Sequence, residues 1–187
     1  MHDSLPDPDG DRMRLWAAGD RAAFEGIVRT WERPLGSFLV RLTGDADEAS
    51  DLTLEVFLHV YLKGAKYREA GTFRTWLFQI ALNLSRGAAR KRTRKPSIPL
   101  AESHDPAGIT PDHDDRERAE LVAAALGELP GPLREVVVLR HYEALSFEAM
   151  ARLLGTPSTT LKSRFAAAMT KLEYALTARG LKPESAP

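Results

Sequence analysis

Three groups of side chains in this chain have types and spacings that can act on another molecule. The first is a cationic run between Leu84 and Lys95: Arg86, Arg90, Lys91, Arg92, Arg94 and Lys95, with no acid among them. Gln79, Asn83, Arg86, Arg90 and Arg94 recur every three or four residues, which on a helix lines up one ridge. Its amides suit base edges and its guanidinium groups suit phosphates, so it reads as a nucleic-acid track rather than a solvated tail. The second group is "STTLKSR", where Ser158, Thr159, Thr160, Lys162, Ser163 and Arg164 bring hydroxyls and cations to the start of a helix. A helix N-terminus of that kind can meet phosphates and base edges. The third group, His104, Asp105, Asp112, His113, Asp114 and Asp115, has metal-ligand types and would suggest a metal-dependent hydrolase. Those residues sit in text with no rigid scaffold to fix their geometry, so neither a metal nor a cofactor is expected. With no cysteine in the chain, disulfides, thiolate metal sites and a cysteine nucleophile are excluded. No catalytic residue is expected, and the protein is not expected to be an enzyme.

Helices must position these groups. Phe24, Ile27, Val28, Trp31, Leu35, Phe38, Leu39 and Leu42 keep a helical period, with Pro34 expected to kink or break it. Gly44 ends that segment, Asp45 can cap a second helix to about Lys63, and Gly64 closes it. After the loop "GAKYREAG" a third helix is expected from Thr72 to about Thr93, with Phe73, Trp76, Ile80 and Leu84 on its core side. Residues 96 to 111 then turn to proline and polar residues without period, a flexible linker by composition. Beyond it "DDRERAELVAAALGELP" and "GPLREVVVLRHYEAL" read as helices, the first with Asp114 or Asp115 near its start and the second with Pro132 in its first turn. "VVVL" alone could pass for a strand, but it is short and its flanks are helical. The chain is therefore expected to be all-α, with two small helical domains joined by a flexible linker. The expected layout is an acidic N-terminal tail at 1–10, a first domain at 11–95, the linker at 96–113, a second domain at 114–180 and a tail at 181–187.

The stretch "LSFEAMARLLGTPSTTLKSRF" has the layout of a helix-turn-helix. Ser146 can cap its first helix and Glu148 complements the dipole there. Ala151 lets the helices approach, Gly155 takes the positive-φ turn, and Leu161 anchors the second helix. Ser158 is expected to cap that second helix, which buries Leu161, Phe165, Ala168 and Leu172 and turns Thr159, Thr160, Lys162, Ser163 and Ala166 outward with Arg164 flanking. The helix "DADEASDLTLEVFLHVYLKG" differs: Asp47, Asp51 and Glu55 form an acidic stripe, and Leu52, Val56 and Val60 one apolar row. A second row of Leu54, Phe57, Leu58 and Tyr61 exceeds what one core face needs. Either the second row meets a protein partner, or the whole helix is buried with only its acids exposed.

Taken together, these blocks resemble the extracytoplasmic-function (ECF) sigma factors, the two-domain initiation subunits of bacterial RNA polymerase. "GDADEASDLTLEVFLHVY" is similar to the core-binding helix of sigma region two, and "GTFRTWLFQIALNLSRGAARKRTRK" to the helix that melts and reads the minus-ten promoter element. "LPGPLREVVVLRHYEALSFEAMARLLGTPSTTLKSR" is similar to region four, the minus-thirty-five reader. The resemblance implies that Asp47, Asp51, Leu52, Glu55 and Phe57 face the clamp helices of the largest polymerase subunit. It assigns Arg74, Gln79, Asn83, Arg86, Arg90, Lys91 and Arg94 to minus-ten DNA, with the loop "GAKYREAG" helping to hold an unstacked strand. It assigns Ser158, Thr159, Thr160, Lys162, Ser163 and Arg164 to minus-thirty-five DNA. Trp76 matches a family tryptophan, read as core first and DNA-facing second. The implied partners are core RNA polymerase, including the flap of its second subunit, promoter DNA and an anti-sigma factor. Cytoplasmic action without membrane insertion is expected, since no apolar run approaches the ~20 residues that span a bilayer. A freestanding helix-turn-helix regulator is the alternative, but it leaves the ridge and the acidic stripe without a role. The chain departs from the family's usual residues at Leu54 (commonly glutamine), Gln79 (often arginine), Gly87 (often aspartate) and Ala166 to Ala168, where relatives carry larger or basic side chains.

Overall fold

Apolar residues that repeat every three or four positions can be buried only by packing helix on helix. The computed structural model describes residues 7–64, 72–94 and 113–181, with backbone alone at 93–94 and 113–116. Among the described residues the helices are α1 (Pro8–Ala17), α2 (Arg21–Thr43), α3 (Ala46–Lys63), α4 (Phe73–Arg94), α5 (His113–Gly127), α6 (Gly131–Val137), α7 (Phe147–Leu154) and α8 (Ser158–Ala178). A π-helical turn, Val138–Tyr142, follows α6, and no strand occurs among these residues. "VVVL" is thus helical, and the all-α expectation holds. The chain divides into two compact units, one holding α1, α2 as far as Leu39, α3 and α4, the other holding Val40–Gly44 with α5 to α8.

In the first unit the core is built from Met13, Ile27, Leu35, Phe38, Leu52, Val56, Val60, Phe73, Leu77 and Phe78. Pro34 does not break α2, which runs through it. Ile27 before it and Leu35, Phe38 and Leu39 after it are all buried, whereas Pro34 is exposed. Thr30, whose carbonyl loses its helical donor to the proline, is exposed and open to water, and burial on both sides outweighs the local defect. Gly44 takes φ +76° after α2, and the Asp45 carboxylate accepts the Glu48 N–H at 2.9 Å to start α3, as the sequence implies. Buried Thr53 and Ser85 satisfy their hydroxyls on the helix carbonyls of Ala49 and Leu82.

Two expectations for this unit need correction. Residues 8–10 are not tail but the first turn of α1, because Asp9 accepts both Arg12 and the Trp31 indole N–H, which fastens α1 to α2. The core side of α4 is Phe73, Leu77, Phe78, Ala81, Leu82 and Ser85; Trp76, Ile80 and Leu84 are only half-buried. Both sets keep a helical period, and sequence alone does not say which one the neighbouring helices cover. Gly64 closes α3 with φ −55°, so positive φ is not the reason for glycine there. An added Cβ would lie 2.6 Å from the Trp16 ring, which is itself packed on Phe24 and Tyr61.

In the second unit Leu126, Leu129, Val136, Val138, Leu139, Met150, Leu153, Leu161 and Ala168 are buried. Pro132 stands in the first turn of α6, and the Glu143 N–H reaches back to the Val138 carbonyl in the wider spacing of the π turn. Ser146 caps α7 through the Ala149 N–H at 3.1 Å, and Gly155 takes φ +61° and ψ 32° at its end. Ser158 is not the cap of α8: it is the first helical residue, and Pro157, extended at φ −54° and ψ 140°, holds the cap position with no side-chain bond. Proline before the first turn sets the entry direction by its ring, and Ser158 is left in helical geometry.

Candidate functional site

Three faces carry the residues singled out above. On α3, Asp47, Asp51 and Glu55 are all exposed, one turn apart. Beside them Leu54 is 68% exposed, Leu58 54%, Tyr61 49% and Leu62 66%. The apolar excess of this helix is therefore outward, and the reading of a fully buried helix is excluded. Leu52 and Phe57, expected to face the polymerase, are 4% and 8% exposed and belong to the core. A residue in the core row cannot also offer its side chain to a partner, so the outward row is Leu54, Leu58, Tyr61 and Leu62. Leu62 had no part in the expectation, although its i+4 spacing from Leu58 is the signal that finds it. Carboxylates flanking exposed leucines give a surface that can exclude water at its centre and select a cationic rim.

On α4, Gln79, Asn83 and Arg90 are exposed and Arg86 is half-buried, on the side away from Phe73, Leu77 and Ala81, whereas Lys91, also exposed, falls on the Phe73 side of the helix near its end. Arg74, half-buried in the first turn, lays its guanidinium 5.4 Å from the Phe78 ring centroid. Arg92 of the basic run pairs with Glu48 of α3, which ties the two helices. Gly87 leaves α4 unbroken, with nothing within 4 Å of where its Cβ would be. Arg94 ends the helix with only its backbone described. Residues 65–71 of the loop "GAKYREAG", and His104, Asp105 and Asp112 of the ligand-type group, lie outside the described residues. The ridge presents amides and cations over several turns while the other side is sealed by core, an arrangement able to track a sugar-phosphate chain.

On α8, Thr159, Thr160, Lys162 and Ser163 are exposed and Ser158 and Arg164 half-buried. Leu161 beneath them is fully buried and fixes the rotation of the helix. Phe165, expected in the core, is half-buried and meets Phe147 edge-on at 5.9 Å. Phe147 in turn lies under two cations, Arg140 at 5.3 Å and Lys162 at 5.8 Å. Glu148 is held below the ordinary glutamate value, first by a hydrogen bond from its own backbone N–H, then by Ser146 and by the charges of Lys162 and Arg152. Lys162 thus lies over a ring of the preceding helix, with the Glu148 charge nearby. No linear spacing announces that grouping, because its members come from α7, α8 and the π turn.

A helix-turn-helix with a polar, cationic second helix is a duplex-binding unit of the transcription-factor class. The Sigma-70 region 2 family matches residues 27–95, and the Sigma-70, region 4, family matches residues 119–172. The RNA polymerase sigma-H factor of Pseudomonas aeruginosa is 31% identical over 170 residues, covering 84% of this chain and 88% of that one. The ECF RNA polymerase sigma factor SigE of Mycolicibacterium smegmatis is 37% identical over 157 residues, 79% of this chain and 60% of that one. Among solved structures, the sigma factor RpoE in complex with the anti-sigma factor NepR from Bartonella quintana has a TM-score of 0.70 at 23% identity, over 82% of this chain and 96% of that one. The chain belongs to the ECF sigma factors of the sigma-70 family, which direct transcription initiation by bacterial RNA polymerase. Among its described residues no helix is long and apolar enough to cross a membrane.

Proposed function

We propose that the protein docks on the clamp helices of core RNA polymerase through the outer face of α3, holds the opened minus-ten strand along α4 and seats α8 in the minus-thirty-five major groove. The observation that carries this is the outward row Leu54, Leu58, Tyr61 and Leu62 beside Asp47, Asp51 and Glu55. A freestanding regulator has no use for such a surface, whereas a polymerase subunit requires one. Strand opening needs no covalent chemistry: unstacking costs a few kcal/mol, and contacts to the ridge of Gln79, Asn83, Arg86 and Arg90 offset it. Upstream, Thr160, Lys162, Ser163 and Arg164 read or anchor the duplex, with Ser158 and Thr159 near the phosphates. The small side chains Ala166 and Ala167, exposed on the next turn, limit the groove contacts to the first turns of α8. The flap of the second polymerase subunit is proposed to hold the second unit, and an anti-sigma factor to cover the α3 face, the recognition helix, or both. The family membership and the open apolar-acidic surface support that control.

The test is reconstitution with core enzyme. Promoter-dependent RNA synthesis is expected, and tight duplex binding without synthesis would instead make the protein a freestanding regulator. Asp51→Lys, exposed and outside the core, is expected to fold normally and lose polymerase docking. Normal docking by that variant would remove α3 from the interface.

A further inference from the structure

Asp7 occupies the cap position of α1, with φ −110° and ψ 80°, yet its carboxylate makes no cap bond to α1. It reaches to α4, where Oδ2 accepts the Phe73 backbone N–H at 2.7 Å. Phe73 opens α4, and its N–H is one of the four that a helix cannot satisfy within itself. The local cap is used elsewhere. Thr72 Oγ1 accepts from the Thr75 N–H at 3.3 Å, and the Thr72 carbonyl accepts from Trp76. Thr72 therefore serves the third residue of α4 while Asp7, 66 positions away in sequence, serves the first.

The rest of α1 strengthens this clasp. Asp9 accepts Arg12 at 2.7 Å and the Trp31 indole N–H at 3.0 Å. The Trp31 ring meets Phe73 and Phe78 edge-on at 6.1 and 5.9 Å. At the other end of α1, about 15 Å away by helical rise, Trp16 lies against Gly64 and packs on Phe24 and Tyr61. One short helix thus fastens both the residue that closes α3 and the residue that opens α4.

We infer that α1 is a positioning element for strand capture: Asp7 sets the first turn of α4, the helix from which Gln79 and Asn83 project toward the strand. This rests on the reading of α4 as the strand-holding helix. Asp7 touches no nucleotide in this scheme and acts through α4 alone.

The experiment uses the full chain, free and with core polymerase, as wild type, Asp7→Ala and Asp7→Asn. Amide hydrogen exchange at Phe73 is read in the free protein. Affinity for a non-template minus-ten oligonucleotide, from a promoter the holoenzyme transcribes, is read with core present, beside affinity for core itself. Asp7→Ala is expected to speed Phe73 exchange and weaken the oligonucleotide about fivefold, the change a lost helix cap of usual strength brings, with core affinity unchanged. Asp7→Asn should restore both, because an amide oxygen accepts the same N–H, and a general loss of folding would not spare core affinity. Unchanged Phe73 exchange in Asp7→Ala would overturn the clasp, and faster exchange with wild-type strand affinity would overturn its role. A wild-type holoenzyme that holds no minus-ten strand would overturn the functional reading and strand capture with it, while the exchange result still decides whether Asp7 caps α4.

Discussion

Leu54 and Leu52 are two residues apart on α3 and chemically identical, so replacing each by alanine separates docking from folding. Fully burying a leucine is worth ~1.5–3 kcal/mol. Leu54 leaves 68% of its surface exposed, so a partner that covers it gains about 1–2 kcal/mol, or about 5- to 30-fold in Kd. In the free protein Leu54→Ala leaves no cavity, and its effect on stability should stay within ~0.5 kcal/mol. Leu52 is 4% exposed, and Leu52→Ala should cost ~2–5 kcal/mol through lost transfer energy and a cavity, lowering Tm by roughly 8 °C or more. Thermal melts measure the second effect, and anisotropy titration of a labelled chain with core polymerase measures the first. Wild-type affinity for Leu54→Ala would refute the assignment of the outer row. A large affinity loss for folded Leu52→Ala, with Leu54→Ala silent, would mean that the partner reads the opposite face of α3.

The remaining predictions concern the recognition helix and two local contacts. Lys162→Ala and Arg164→Ala should each weaken upstream duplex binding and reduce the slope of log affinity against log salt by about 1, checked by titration at several ionic strengths. Glu148 has a lowered pKa in the folded state, so its contribution is present above the ordinary value of 4.5 and is lost as pH falls through the lower folded value. Glu148→Gln should therefore flatten the fall in Tm below pH 4.5 and leave Tm near pH 7 little changed in slope, as followed by circular dichroism. Gly64→Ala should destabilise by about 1–3 kcal/mol, because the new Cβ meets the Trp16 ring at 2.6 Å and that ring is held by Phe24 and Tyr61. Trp16→Ala in the same background should relieve part of that cost.

Sequence by itself determined the helical class, the extent of α3, the Asp45 and Ser146 caps, the Gly155 turn and the ridge of Gln79, Asn83, Arg86 and Arg90. Each of these depends on residues within about one helical turn, or on a period that any helix must express. Family and function were also legible, because three ordered blocks carried them. Tertiary structure alone decided which of two equally periodic rows faced the core: Leu77, Ala81 and Ser85 rather than Trp76, Ile80 and Leu84 on α4, and Leu52 with Phe57 inward against Leu54 and Leu62 outward on α3. It also kept α2 intact across Pro34, placed Trp16 over Gly64, set Lys162 against Phe147 and joined Asp7 to Phe73. The physical reason is common to all of them: a side chain's environment is set by what packs against it from distant parts of the chain, and local pattern carries no information about that neighbour.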